Sequence, residues 1–358
     1  MEYRIQKLRE KLKKKNLDAV IVTGRPNTLW LSGFTGSTSF LLIGLGRAYL
    51  IVDFRYTIQA RQQVFGGIEV IQHEDSFYST LNKLIEQDDI KNIGFEGNIV
   101  SYREYHELKE KLTNARSFES IGDTIENLRI IKDSYEIDRI QEAVLLGDKV
   151  FEKIIDFIKP GMKEADIAAE LEYTMKKLGA QGPSFQTIVA AGARSAMCHG
   201  TASDYVLQKG DALVLDFGVI YHNYCSDMTR TIFIGEPEKK LREIYHTVKE
   251  AQQAVLDALK PGMSGFEADK IARDIISRAG YGDNFGHGLG HGVGIEIHEA
   301  PRLSVKSKDI LTDGMVFTVE PGIYVEGLGG VRIEDMVVFV DGKLRNFTSS
   351  TKEMIIIN

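Results

Sequence analysis

"DFIKPGMKEADIAAELE" (Asp156–Glu172) is echoed by "DALKPGMSGFEADKIAR" (Asp257–Arg273), an offset of 101 residues. Lys-Pro-Gly-Met matches position for position, and Glu-Ala-Asp follows in both, with two residues inserted in the second. The echo continues downstream, where "GDALVLDFG" from Gly210 and "GMVFTVEPG" from Gly314 each place a carboxylate six residues after the first glycine and another glycine two later. Two copies of one helix-and-strand unit imply a domain with an internal pseudo-twofold repeat, because related units bury their apolar faces on each other. A site between the copies can draw side chains from both.

Upstream of the repeat the pattern differs. A chain of 358 residues is too long for one ordinary core, so two domains are expected. Ile5, Leu8 and Leu12 recur at helical spacing, and "DAVIVTG", "FLLIGL", "AYLIVDF", "IEVIQ" and "NIGFEG" read as short buried strands. Helical patterns around Leu81–Glu86 and Tyr102–Leu112 interleave with them, which predicts an α/β amino-terminal domain. No G-x-G-x-x-G opens a helix, so a dinucleotide loop is disfavoured. Asp133 and Glu136 in "DSYE" have capping-box spacing and start a long helix. The boundary is set just before it: residues 1–125 form the α/β domain and 126–358 the α+β domain that carries the repeat.

Composition excludes several classes. Basic residues number 44 against 51 acidic, a net charge of -7, and only "KLKKK" at Lys11–Lys15 concentrates positive charge. That run reads as a solvated helix face, and no nucleic-acid partner is expected. The amino-terminal stretch has no apolar core of signal-peptide length, and no later segment approaches ~18 uninterrupted apolar residues. A cytoplasmic protein without membrane contact is expected. Cys198 and Cys225 are the only cysteines, which is no disulfide framework.

The chemistry concentrates in the repeat. Asp216 and Asp227 flank the turn-like "YHNY", while Glu320 and Glu334 flank a turn with Gly327, Gly329 and Gly330. Each pair straddles a hairpin and is expected to stand roughly opposite its partner on neighbouring strands. Four like charges on two related apolar hairpins are costly to bury unless cations neutralise them. A dinuclear metal centre follows. "GHGLGHGVGIEIHEAP" (Gly286–Pro301) supplies three histidines, and its glycines let backbones approach closely. His291 is read as the fifth ligand, with His287 and His298 placed to meet substrate. One imidazole and four carboxylates suit Mn²⁺ or Co²⁺ at least as well as Zn²⁺. A water held between two divalent cations would supply a nucleophile.

At these residues the sequence resembles the pita-bread metallopeptidases, the creatinase/aminopeptidase P/prolidase family, and within them the Xaa-Pro peptidase branch. The motifs are "LDFG" with Asp216, "CSDMTRT" with Asp227, "GHGLGHGVG" with His291, "HEAP" with His298, "TVEPGIY" with Glu320 and "GGVRIED" with Glu334. The resemblance implies a pita-bread catalytic domain behind a creatinase-type amino-terminal domain that often helps build a homodimer. It implies that Asp227 and Glu334 bridge both metals, that Asp216 completes one set, and that His291 and Glu320 complete the other. The family's substrate histidines carry over to His199, His287 and His298, and its supporting arginine to Arg332. Cys198 departs from the pattern, since many relatives carry proline there.

The expected activity is that of an Xaa-Pro aminopeptidase, cutting between a first residue and a following proline, with Glu320 as proton acceptor and His199 or His298 stabilising the oxyanion. The alternative is an Xaa-Pro dipeptidase, which needs a cation for the substrate's free carboxylate. Arg302, or less favourably Lys306, could supply it. A non-enzymatic binding module on the same fold is the remaining alternative, and retention of all five ligands argues against it.

Overall fold

The computed structural model describes residues 2–358. Contacts divide the chain into Met1–Arg129 and Ile130–Asn358. The division expected at residue 125 falls inside the short helix Thr124–Arg129, whose last residue donates from Nη1 to Asn27 Oδ1 at 2.8 Å and so belongs to the first unit.

The first unit is a six-stranded mixed sheet in the order Glu69–Gln72, Ala48–Val52, Phe40–Gly44, Ala19–Val22, Asn92–Phe95, Ser117–Ser120. The central strand Ala19–Val22 is buried along its length, which is why it reads as a continuous apolar run. The helix Glu2–Lys14 buries Ile5, Leu8 and Leu12, the three residues that carry its helical period. The edge strand Ser117–Ser120 and the helices Arg25–Ser32 and Thr57–Gln63 have no counterpart in the sequence reading. All three are short and carry too few apolar residues to show a period.

In the second unit each copy contributes two helices and a sheet. Ser134–Phe157 and Glu164–Lys177 form the first helix pair, and Lys239–Ala258 and Gly265–Arg278 the second. A four-stranded sheet runs Ile356–Ile357, Met228–Ile234, Ala212–Phe217, Ile188–Ala191. A five-stranded sheet runs Glu299–Leu303, Gly290–Gly292, Val316–Val319, Asp335–Val340, Lys343–Asn346. Asp133 and Glu136 close the capping box that starts the first long helix. Among the described residues no helix is long and apolar enough to cross a membrane.

Hydrogen bonds confirm the repeat and correct one detail of it. Gly161 N donates to Leu207 O and Leu207 N to Met162 O, while Gly262 N donates to Leu311 O and Leu311 N to Met263 O. Lys163 bridges to Val206 as Ser264 bridges to Ile310. The second helices are both 14 residues long, and Glu164, Ile167, Leu171 and Met175 are buried in one where Gly265, Ala268, Ala272 and Ile276 are buried in the other. The offset of 101 therefore runs through the helix without insertion, and Glu-Ala-Asp recurs half a turn out of step. Burial face, rather than a three-residue identity, sets the correspondence.

The hairpins also differ in register. In the second, Val319 pairs with Asp335 and Gly322 with Arg332, which leaves Glu320 and Glu334 across from each other. In the first, a two-residue turn at His222 and Asn223, both at positive φ, sets a register in which Asp216 pairs with Thr229 rather than with Asp227. Asp227 is thus shifted two positions along the strand from the place opposite Asp216.

Gly161 and Gly262 sit at φ 85° and 90°, and a Cβ at either would meet nothing within 4 Å. Gly161→Ala and Gly262→Ala should therefore each destabilise by about 1 kcal/mol through backbone conformation alone. Chemical denaturation of the two variants checks the equivalence of the copies, and clearly unequal losses would refute it.

Candidate metal centre

Each acid arrives at the cluster on a buried strand or at its end. Asp216 lies in Ala212–Phe217, Asp227 immediately precedes Met228–Ile234, Glu320 follows Val316–Val319 and Glu334 precedes Asp335–Val340. All four line one cavity of about 490 Å³ together with His199, His287, His291, His298, Arg302 and Arg332. His291 Nε2 stands 3.3 Å from Glu320 Oε1 and 3.6 Å from Asp227 Oδ2. Its Nδ1 is 3.1 Å from Gly292 O, which turns the Nε2 lone pair toward the carboxylates. Ligand atoms of Asp227, His291 and Glu334 all lie within 4.8 Å of one another.

The glycine run is what allows this crowding. A Cβ on Gly290 would strike the carbonyl oxygen of Thr318, and one on Gly292 would strike that of Ala300. The strand Gly290–Gly292 can therefore press between its neighbours only as glycine on both sides of His291. The run is neither a phosphate cradle nor a slack turn.

Two oxygens decide what the cluster is for. Asp227 Oδ1 and Glu334 Oε1 are buried without a hydrogen-bond partner among the described residues. Buried carboxylate oxygens left bare are strongly unfavourable, so the residues fit divalent cations in that gap. Other oxygens are held by Thr229 and Thr318, which the sequence reading did not find, and by Arg332, which it named. Thr229 Oγ1 donates to Glu334 Oε2 at 2.7 Å, and Thr318 Oγ1 to Glu320 Oε1 at 3.0 Å. Arg332 donates from Nε to Thr229 Oγ1 at 3.0 Å, from Nη1 to Tyr324 OH at 2.6 Å and from Nη2 to Asp216 Oδ2. Behind the cluster Asp335, the neighbour of Glu334, accepts from Arg230 at 2.8 Å, Gln252 at 2.9 Å, Asn346 at 2.8 Å and Lys352 at 2.9 Å. Arg230 also donates to Ser350 O and Thr351 O.

The remaining candidates divide. His199 and His298 are exposed on the cavity wall, and the His298 ring meets His291 edge-on at 4.4 Å. His287 lines the cavity too, but its Nδ1 lies 2.8 Å from Gly288 O and its Nε2 2.9 Å from Tyr324 OH. Both nitrogens are engaged within the protein, so it presents its ring rather than a free donor. Tyr324, which links His287 to Arg332, was not legible in the sequence. Nor was the pair Asp269–Arg273, in which Asp269 accepts from Leu289 N at 3.1 Å while Arg273 donates to Phe285 O and His287 O. Arg302 lines the cavity, whereas Lys306 is not among the lining residues. Cys198 lines the cavity and Cys225 packs with Val293, Val316 and Met336 in an apolar cluster.

Comparison with known proteins agrees with this geometry. Residues 138–341 match the model for Metallopeptidase family M24, and residues 4–131 that for the Creatinase/Prolidase N-terminal domain. The chain belongs to metallopeptidase family M24. Among its M24 relatives, the Xaa-Pro dipeptidase of Pyrococcus horikoshii is 39% identical over 357 residues, 99% of each chain. A solved Xaa-Pro dipeptidase from Bacillus anthracis is 42% identical, with a TM-score of 0.96 and 99% of each chain covered. An X-Pro aminopeptidase from Thermotoga maritima is 39% identical with a TM-score of 0.91, covering 97% of this chain and all of that one.

Charge in the metal-free M24 centre is badly balanced. Burial, reinforced by Glu334, Asp216 and Glu320, pushes the Asp227 carboxyl well above its usual range. Burial followed by Glu320 and Asp216 does the same to Glu334. Glu320 is pushed up to about 7, burial outweighing the attraction of Arg332. Burial also holds His287 and His291 down at about 4, and it lowers His298, with Arg302 assisting.

The two sets of groups act on stability with opposite sign. Acids with raised values bind more protons folded than unfolded, so their contribution is lost as pH rises toward the folded values. Histidines with lowered values do the reverse, but only below their unfolded value of 6.5. Between about pH 6.5 and 8 only the carboxylates act, and the metal-free protein should lose thermal stability as pH rises. Added divalent metal should raise the melting temperature most at the upper end of that window. Thermal unfolding with and without metal checks both, and a metal-free melting temperature that climbs through the window would contradict the assignment.

Proposed function

We propose that this M24 chain hydrolyses Xaa-Pro dipeptides, with Asp216, Asp227, His291, Glu320 and Glu334 holding two divalent cations. Relatives bear both dipeptidase and aminopeptidase names, and one feature of this chain favours the first over the aminopeptidase expected from sequence. The Arg302 guanidinium, on the cavity wall four residues past His298, makes no hydrogen bond or ion pair among the described residues. A planar cation without a partner beside the reacting centre fits the free carboxylate that only a dipeptide presents at its second residue.

The chain's residues have separable tasks. When bound, the cations lower the pKa of water and polarise the scissile carbonyl. Glu320, held by Thr318, is the proton acceptor. Arg332 holds Asp216 and Thr229 in place, and through Thr229 it orients Glu334. His298 and His199 donate to the oxygen on which negative charge develops. Proline's nitrogen carries no hydrogen in the peptide, so recognition rests on ring shape, for which the face of His287 and the side chain of Ile297 line the cavity. The hard, oxygen-rich donor set suits Mn²⁺ ahead of Co²⁺ or Zn²⁺. A homodimer belongs to the same reading through the resemblance of the amino-terminal domain, and a cytoplasmic location is supported by the two free cysteines.

Glu334→Ala should abolish hydrolysis and lower bound metal, because its loss leaves Asp227 and the cations without a shared partner. Metal analysis beside the activity assay checks it, and two metals with full activity in that variant would refute the ligand set.

Arg302→Ala should raise KM for Ala-Pro about 10- to 100-fold while changing kcat/KM for Ala-Pro-Ala little, as expected for loss of one charge-assisted contact. Steady-state kinetics on the two peptides decides the matter. Native enzyme that prefers Ala-Pro-Ala, with Arg302→Ala indifferent to both, would return the reading to an aminopeptidase.

A further inference from the structure

Glu164 opens the helix Glu164–Lys177 and is fully buried, yet it stands outside the metal cluster. Its Oε1 accepts from Ala191 N at 2.7 Å, and its Oε2 from Ser203 N at 2.9 Å and Ser203 Oγ at 2.6 Å. Arg194 Nε reaches both oxygens, at 3.2 and 3.1 Å, and Arg194 Nη2 donates to Thr201 O at 2.7 Å. These donors bracket residues 191–203 at both ends. His199 rides between them, beyond a short 3₁₀ turn at Gly192–Ala196, on a segment outside the named strands and helices, where Arg332 Nη1 donates to Cys198 O at 3.3 Å and Thr201 bridges to Ile188.

A glutamate in a helix's first turn is commonly explained by the helix dipole. Here the carboxylate spends its bonds on the distant loop and none on the N–H groups of its own helix. We infer that Glu164 is a positioning residue for His199, clamping both ends of the loop so that the imidazole is held over the cavity. This rests on the proposed role of His199 at the substrate.

The second copy supports the reading by solving the same problem differently. Its counterpart of Glu164 is Gly265, which carries no carboxylate. Asp269, one turn further along that helix, takes over by accepting from Leu289 N while its partner Arg273 donates to Phe285 O and His287 O. Two unrelated positions thus each place a buried carboxylate and an arginine under a histidine-bearing loop. Helix stability alone gives no reason for that recurrence.

The test is a double-mutant cycle with metal content followed throughout. Glu164→Gln keeps the volume but turns one acceptor into a donor that faces N–H groups. It should lower kcat/KM for Ala-Pro about 10- to 100-fold with metal unchanged, the scale expected when a reacting group is displaced by about an ångström. In a His199→Ala background the same substitution should cost almost nothing, because the group it positions is gone. Equal fold-losses in both backgrounds, accompanied by a lowered melting temperature, would show a purely structural role and overturn the proposal. If Glu164→Gln does not fold, Ser203→Ala removes one donor from the clamp and should show a smaller loss with the same dependence on His199. His199→Ala with native kcat/KM would remove the role of His199 itself. A costly His199→Ala beside a harmless Glu164→Gln would remove only the clamp.

Discussion

Asp227 Oδ1 and Glu334 Oε1 face each other's charge from inside the protein with no hydrogen bond to either, and the repeated domain is arranged around that unmet demand. Like charges in a low-dielectric interior raise each other's energy, and a polar atom stripped of water and left bare adds its desolvation. Among the described residues Arg332 is the one buried arginine or lysine bonded directly to the cluster, through Asp216, and it is also committed to Thr229 and Tyr324. One guanidinium cannot neutralise four carboxylates. The metal requirement is therefore a property of the fold's electrostatics as much as of its chemistry, and the strands that bury Asp216, Asp227 and Glu334 make it acute.

The same cluster explains why the surrounding polypeptide is so unforgiving. His291 must reach carboxylates on strands that are already packed, and glycines at 290 and 292 are the local solution. Elsewhere the solution is a satisfied polar network in which Thr229, Thr318 and Tyr324 each complete the bonding of a cluster residue. Such networks fix side chains in one arrangement because every alternative leaves a buried group unbonded. Rigidity of this kind is what a reaction that depends on ångström placement needs.

Much of this was legible in the sequence, for identifiable reasons. The repeat, the two-unit organisation and five of the six strands of the first sheet announced themselves through apolar runs, turn glycines and a capping box, all of which are local. The acids and His291 were visible because a duplicated hairpin put like charges where isolated ones would be unremarkable. What stayed hidden depends on distant contacts. Nothing in "GIYV" marks Tyr324 as the link between His287 and Arg332, and nothing in "EADKIAR" reveals that Asp269 and Arg273 hold the glycine loop. The false two-residue insertion arose because Glu-Ala-Asp is common helical vocabulary, while the face that a helix buries is set by its partners. The motif around His287 likewise could not show that both ring nitrogens are engaged, by Gly288 O and Tyr324 OH, because those contacts are set by the fold.

Asp335 and Glu334 are neighbours with opposite fates. Glu334 turns toward the cavity, whereas burial opposes the charge of Asp335 but Arg230 and Lys352 overcome it and hold that carboxyl below its usual range. The carbonyls of Ser350 and Thr351 reach Arg230 across 120 and 121 residues of chain, and Lys352 reaches Asp335 across 17. The strand that follows Glu334 is therefore braced from behind by a segment that touches none of the acids of the cluster. A local opening of residues 350–352 would loosen that strand without disturbing a single candidate ligand.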